Sequence, residues 1–101
     1  MKHKIIDSIV KTKTNFSRMS KEIHNFEKEV GFDKTSSQQL IKWLREEVEN
    51  YKKAKSKIVK QNKLIDIINL AIQLSRRDKM DLDSAWKRWW WKSRKYLDEK
   101  Q

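Results

Sequence analysis

Hydrophobic residues recur three or four positions apart over residues 4–30, which predicts a long amphipathic first helix. The members of this apolar stripe are Ile5, Ile9, Phe16, Met19, Ile23, Phe26 and Val30. A stripe of this kind indicates a core or coiled-coil contact. Gly31, the only glycine of the chain, stands where a left-handed residue would end the helix.

A second helix is predicted over residues 37–61, after a linker at 32–35. Ser36 is placed as its N-cap, and Gln39 completes a capping box three residues later. The apolar face of this helix carries Leu40, Leu44, Val48, Tyr51 and Ile58, with Trp43 at its flank. Glu47 falls at the edge of that face, where it either extends outward to pair with a lysine or reaches a polar hollow.

The end of the second helix is strongly basic. Residues 52–63 carry six lysines and no acid, namely Lys52, Lys53, Lys55, Lys57, Lys60 and Lys63. Like charges at this spacing weaken a helix, so we expect a break near residues 61–62. The run is either an anion-binding patch or a solvated face.

The third helix is predicted over residues 62–77 and is apolar around most of its circumference. So wide an apolar sector predicts that other elements cover it on several sides. Its narrow polar stripe consists of Asn62, Asp66, Asn69 and Gln73. This stripe is either the one strip facing solvent or the wall of a polar cleft, and Asp66 is accordingly a solvated acid or a metal ligand.

A fourth helix follows the turn at 77–80, with Asp81 as its N-cap, and continues to Leu97. It carries four of the five tryptophans in a broad aromatic stripe that we expect to be mostly core. Trp91 falls on the other side, among Arg88, Lys92 and Lys95. An aromatic residue among cations suggests a contact, either a dimer interface, a stacked base or a partner protein.

Composition fixes the fold class. One glycine, no proline and 39% charged residues are typical of an all-α protein. A chain of 101 residues predicts one domain, residues 1–101, with a small core that oligomerisation would help to complete. The lack of cysteine favours a reducing compartment such as the cytoplasm. No apolar run is long enough to cross a bilayer, so we expect no membrane partner.

The net charge of +11, spread along the whole chain, predicts attraction to polyanions. Neither a glycine-rich phosphate loop nor a Ser-His-Asp or Cys-His arrangement is present, and His3 and His24 lack companions at metal-ligand spacing. One functional hypothesis is therefore a catalytically inactive basic helical module that binds nucleic acid or another polyanion. Its contacts would come from Lys52, Lys53, Lys55, Lys57, Lys60, Arg88, Trp91 and Lys92.

Four short motifs stand in a suggestive order. They are WLREEVEN at 43–50, LIDIINLA at 64–71, MDLDSAW at 80–86 and KSRKY at 92–96. In order and spacing this set resembles MazG-like proteins of the all-α nucleoside triphosphate pyrophosphohydrolase group. The resemblance implies a MazG-like helical bundle over residues 36–99, an extra N-terminal helix over 1–31, and completion by dimerisation.

The resemblance also implies a chemistry. In that group, acids on two helices hold Mg²⁺, and a nucleoside triphosphate is hydrolysed to a monophosphate and pyrophosphate. Carried onto this chain, Glu46, Glu47 and Asp66 would be catalytic and would bind Mg²⁺ together with Asn50. The residues that would meet phosphate are Lys63, Asn69, Arg94 and Lys95. Magnesium suits such a set because it prefers hard oxygen ligands.

The chain departs from the family pattern at three positions. Glu49 stands in place of a glycine, Asn50 in place of a glutamate, and Lys63 in place of the glutamate that precedes Asp66 by three. An ammonium group at the site opposes the binding of a second cation. Two functions thus stay open, a divergent magnesium-dependent hydrolase and the polyanion-binding module. A structure that places the Lys63 side chain between Glu47 and Asp66 would argue against the magnesium-dependent hydrolase.

Overall fold

A computed structural model describes residues 3–99, which form six helices and no strand. The helices are α1 (Lys4–Lys11), α2 (Phe16–Val30), α3 (Ser37–Lys53), α4 (Lys57–Arg77), α5 (Leu82–Lys92) and α6 (Arg94–Glu99). The predicted all-α fold class is confirmed. Within the described residues, no helix is both long and apolar enough to span a membrane.

The chain divides into two compact units. The first comprises Met1–Ser17 and Asp81–Gln101, and the second comprises Arg18–Met80. Helix α2 begins in the first unit and continues into the second. The single domain expected from chain length stays a prediction.

In the second unit, α3 and α4 form a helical hairpin. The Ser36 hydroxyl accepts the Gln39 N–H at 3.1 Å, which confirms the predicted N-cap of α3. The break between the helices, however, lies at residues 54–56 and not at 61–62. The reason is a second cap, because the Ser56 hydroxyl accepts the Val59 N–H at 3.1 Å and starts α4 there. A three-residue connection makes the packed helices antiparallel.

Gly31 ends α2 as predicted. Its φ of 82° is a left-handed conformation that glycine adopts without a steric penalty. The next N–H, that of Phe32, donates to the Glu27 carbonyl at 2.8 Å, so the chain reverses directly at the helix end.

The core of the second unit differs from the predicted stripe. Leu40, Leu70 and Ile72 are buried. Phe26, assigned to the core from its spacing, is 63% exposed, whereas Glu27 beside it is 1% exposed. The inward face of α2 therefore carries Glu27 and not Phe26. Arg77, whose side chain is 14% exposed, neutralises the buried Glu27 carboxylate.

In the first unit, the predicted long first helix is interrupted at residues 12–15. Asp83, from the first turn of α5, accepts the backbone N–H groups of Phe16 at 3.1 Å and Ser17 at 3.2 Å. The hydroxyls of Thr14 and Ser17 donate to the same carboxylate. A residue distant in sequence therefore caps the start of α2, and local periodicity could not reveal it.

Helix α1 packs on α5, with Ile6 buried. The fourth predicted helix is two helices, because Ser93 interrupts it and its hydroxyl donates to the Trp89 carbonyl at 2.7 Å. The expectation that the stripe tryptophans are core is wrong, because no residue of α5 is buried: Trp89 is 57% exposed and Trp86 is 37% exposed. Trp89 contacts Trp90 edge to face, with the ring centroids 4.9 Å apart.

Candidate functional site

The polar stripe of α4 lines a pocket of about 340 Å³ within the second unit. Helices α2, α3 and α4 and the loop after Gly31 contribute the walls, namely Ile23, Phe26, Phe32, Trp43, Glu47, Asp66, Asn69, Leu70 and Gln73. Three of the four stripe residues, Asp66, Asn69 and Gln73, form the polar wall of this largely apolar pocket, whereas Asn62 is exposed and does not line it. The opposite face of α4 is less covered than expected, and Ile65 is 55% exposed.

Two charged residues of the lining, Glu47 and Asp66, both contact Lys63, which does not itself line the pocket. The antiparallel hairpin brings Glu47 of α3 opposite Lys63 and Asp66 of α4. The Lys63 Nζ lies 3.0 Å from Glu47 Oε2 and 3.6 Å from Asp66 Oδ2. The Asn50 amide donates to Glu47 Oε1 at 3.3 Å. We call Glu47, Lys63 and Asp66 the pocket triad.

The pKa values of the two carboxyls of the pocket triad shift in opposite directions. Burial raises the pKa of Glu47, but hydrogen bonds from Lys63, Asp66 and Asn50 outweigh it and leave that pKa below its ordinary value. Burial and the neighbouring Glu47 raise the pKa of Asp66, against the opposing Lys63 charge. The hydrogen bond to Glu47 raises the pKa of Lys63. The raised pKa of Lys63 keeps its ammonium group protonated beside both carboxyls.

These side chains do not suit Mg²⁺ as they stand. No group of three or more His, Cys, Asp or Glu residues that could hold a metal ion occurs between residues 3 and 99. The oxygens that would face the ion already contact an ammonium group. The other two predicted ligands, Glu46 and Asn50, are exposed and do not line the pocket.

The aromatic walls of the pocket were not predicted. Phe32 and Trp43 meet edge to face with centroids 6.3 Å apart. Phe32 lies in the segment 32–35, for which the sequence predicts only a linker. The one feature that could have indicated its role is that a large aromatic residue directly follows Gly31. Arg77 holds this loop by donating to the carbonyls of Phe32 at 2.9 Å and Thr35 at 2.8 Å. The position of Phe32 in the pocket wall therefore depends on Arg77 of α4.

The remaining predicted residues lie outside the pocket lining. Arg94 and Lys95, proposed to meet phosphate, belong to the first unit. The Arg94 guanidinium lies over the Trp91 ring at 4.7 Å, and its Nε donates to the Trp91 carbonyl at 2.7 Å. Lys95 lies over Tyr96 at 5.2 Å. The side chains predicted to bind nucleic acid are exposed except for Lys60, which is half-buried beside Tyr51.

Comparison of the chain with family models, curated proteins and solved structures finds no match. The resemblance to MazG-like proteins therefore rests on the four sequence motifs.

Proposed function

We propose that this protein is a basic helical module that binds single-stranded nucleic acid and does not use a metal ion at its α3–α4 pocket. The observation that carries the proposal is the pocket triad, in which Lys63 contacts both carboxylates. With that cation in place the pocket lacks the open oxygen ligands that magnesium chemistry requires. Binding of a polyanion by the remaining cations is the function that this geometry favours.

The connection between α3 and α4 supplies the phosphate contacts. Lys53, Lys55 and Lys57 are exposed, and none of them forms an ion pair within the described chain. The first turn of α4 contains no acid, although its free N–H groups favour negative charge. Lysines at a helix N-terminus repel that end of the dipole, and a bound phosphate would relieve the repulsion.

Exposed aromatic residues favour single strands over duplexes. Trp91 of the first unit is 38% exposed and stacks with the Arg94 guanidinium. Unpaired bases stack on such surfaces with little sequence preference, because every base presents a flat π face. Stacking of bases on Trp91 would add to the binding energy that phosphate contacts supply.

The test is a salt titration of binding to a labelled single-stranded oligonucleotide, followed by fluorescence anisotropy. The variant Lys53→Gln/Lys55→Gln/Lys57→Gln should bind more weakly and should lower the salt slope by about 0.7 for each phosphate that it no longer neutralises. The control Lys21→Gln/Lys28→Gln/Lys42→Gln removes the same charge elsewhere and should keep the slope. No binding by the wild type at low salt, or equal weakening in both variants, would contradict the proposal.

A second candidate is the magnesium-dependent hydrolysis of nucleoside triphosphates to monophosphate and pyrophosphate. It is favoured by one observation, that Glu47 and Asp66 line the same pocket as the resemblance implies. Pyrophosphate release should then appear with Mg²⁺ or Mn²⁺ and should be absent in Asp66→Ala. Both nucleotides and nucleic acid occur in the cytoplasm, where we propose that the protein works.

We also propose that the protein forms a homo-oligomer through the outer face of the α3–α4 hairpin. Ile41 and Val48 of α3, seven residues apart, are partly exposed, and so are Ile58 and Ile65 of α4 at the same spacing. Exposed apolar side chains that repeat along two packed helices are commonly covered by a partner. The buried hydrophobic residues of the second unit are Leu40, Leu70 and Ile72, and a second copy of the chain would bury apolar surface that this small core leaves exposed.

A further inference from the structure

The contacts of Lys63 are those that a bound cation would make. Its ammonium nitrogen meets one oxygen of Glu47 at 3.0 Å and one oxygen of Asp66 at 3.6 Å. Both the lysine and the glutamate are more than two thirds buried, so the packing of α3 on α4 holds them together. We infer that Lys63 is a built-in cation that takes the place of a divalent metal ion beside Glu47 and Asp66.

A tethered ammonium differs from a bound ion in one respect. It is part of α4, so it neutralises Glu47 and Asp66 at every metal concentration. A metal-dependent hairpin would lose its cation to a chelator and leave two carboxylates facing each other. The wild-type fold should therefore be indifferent to both chelator and added magnesium. This inference deepens the metal-free part of the proposed function and rests on the same pocket triad, but it does not require nucleic-acid binding, which we assign to other lysines.

The resemblance to MazG-like proteins implies a glutamate at position 63, so the variant Lys63→Glu restores the implied residue. Position 63 precedes Asp66 by three residues, so both side chains lie on one face of α4. Lys63→Glu would place a third carboxylate beside Glu47 and Asp66, with the Asn50 amide oxygen within reach after an amide flip. Three carboxylates that share one space form the hard oxygen set that divalent cations prefer.

The experiment measures Mn²⁺ binding to the full chain through the electron paramagnetic resonance signal of the free ion. Lys63→Glu should bind Mn²⁺ at least about tenfold more tightly than the wild type, because a repelling charge becomes an attracting one. Adding Asp66→Asn to Lys63→Glu should reverse the increase in affinity. Lys42→Glu on α3 is the matched control, since it makes the same charge change at an exposed position outside the pocket lining, and it should bind as weakly as the wild type.

Three like charges could prevent Lys63→Glu from folding without metal, so thermal melting followed by circular dichroism provides a second measurement. The neutral variant Lys63→Met should melt below the wild type, and Asp66→Asn should recover part of that difference. Chelator or Mg²⁺ should leave the wild-type midpoint unchanged. Wild-type binding of Mn²⁺ as tight as that of folded Lys63→Glu, or a wild-type midpoint that falls with chelator, would overturn the inference.

Discussion

Glu27 is the most consequential single residue of the second unit. It is 1% exposed, and its carboxylate accepts hydrogen bonds from Arg77 and from Gln73 at 3.0 Å. The same arginine reaches the carbonyls of Phe32 and Thr35, so one guanidinium neutralises the buried acid and fixes the pocket loop. Because Arg77 has both functions, we expect a substitution of Arg77 or Glu27 to destabilise the second unit.

Replacing Arg77 with alanine should lower the free energy of unfolding by about 3 kcal/mol, because a buried carboxylate would lose its counter-charge. Urea unfolding followed by circular dichroism measures the change. Arg18→Ala is the control, since Arg18 pairs with Glu22 on the exposed face of α2 and its removal should cost about 0.5 kcal/mol or less. Equal effects of the two substitutions would contradict the assigned importance of Glu27.

The same pair predicts a pH dependence. Burial raises the pKa of Glu27, but Arg77 and Gln73 outweigh it and hold that pKa below the ordinary 4.5. The unfolded chain then binds the proton first, so stability is present above pH 4.5 and falls as the pH decreases from there. Glu47 and Asp83 act in the same direction, whereas the raised pKa of Asp66 opposes them.

Glu27→Gln isolates this contribution. Its free energy of unfolding should change less than that of the wild type between about pH 6 and about pH 3.5, because the titrating group is gone. Urea unfolding at several pH values gives both slopes. Parallel slopes for the two proteins would show that Glu27 has the same pKa in the folded and unfolded states.

At the scale of elements, caps decide where helices begin. Ser36 and Ser56 cap α3 and α4 from the preceding residue, and Asp81 caps α5 by accepting the N–H groups of Asp83 and Ser84. Helix α2 is different, because its cap comes from Asp83 on another helix. Within the first unit, one carboxylate therefore fixes where α2 starts.

Asp83→Ala should destabilise the protein by about 1–2 kcal/mol, as expected for removal of a helix cap. Amide hydrogen exchange should increase at the first turn of α2, while α3 and α4 keep their protection. The control Glu99→Gln removes an acid from the same unit and should leave exchange at Phe16 and Ser17 unchanged. Unaltered exchange at those two amides in Asp83→Ala would argue against the cap.

Sequence patterns predicted the elements better than their limits. The all-α class, the caps at Ser36 and Asp81 and the glycine at the end of α2 depend on local chemistry, and the structure confirms them. The break before Phe16 depends on Asp83, sixty-seven positions away, and no local pattern contains it. The break at 54–56 had a local signal in Ser56, which the lysine run obscured.

The candidate site shows the same division. Periodicity left open whether Glu47 pairs with a lysine or reaches a hollow that Asp66 shares. In the antiparallel hairpin both acids line one pocket, and Glu47 also pairs with Lys63. The contribution of Phe32 could not be predicted, since it depends on Arg77 holding a loop from the end of α4. The burial of Glu27 likewise requires a partner fifty residues away along the chain.

At the scale of the whole molecule, apolar surface is in excess. Among the described residues only Ile6, Leu40, Leu70 and Ile72 form the buried hydrophobic set. Many other large apolar side chains keep more than a third of their surface exposed. A small core next to this much open apolar surface favours association of chains.

Ile65→Asp should shift the protein towards monomer, because a charge at the centre of the proposed contact would be buried without a partner. Sedimentation velocity over a range of concentrations measures the shift. Ile5→Asp is the control, since Ile5 is 65% exposed on α1 and lies outside the α3–α4 hairpin. A wild-type chain that is already monomeric at high concentration would dismiss the proposed interface.

The distribution of tryptophans gives the protein a natural optical label for each unit. Trp43 lies alone in the second unit, while Trp86, Trp89, Trp90 and Trp91 all lie on α5 in the first. In Trp43→Phe, the intrinsic emission would report only on the α5 unit, and the difference from the wild type would report on the pocket. Superimposable denaturation curves for the two signals would make the chain one cooperative domain, whereas separated midpoints would make it two.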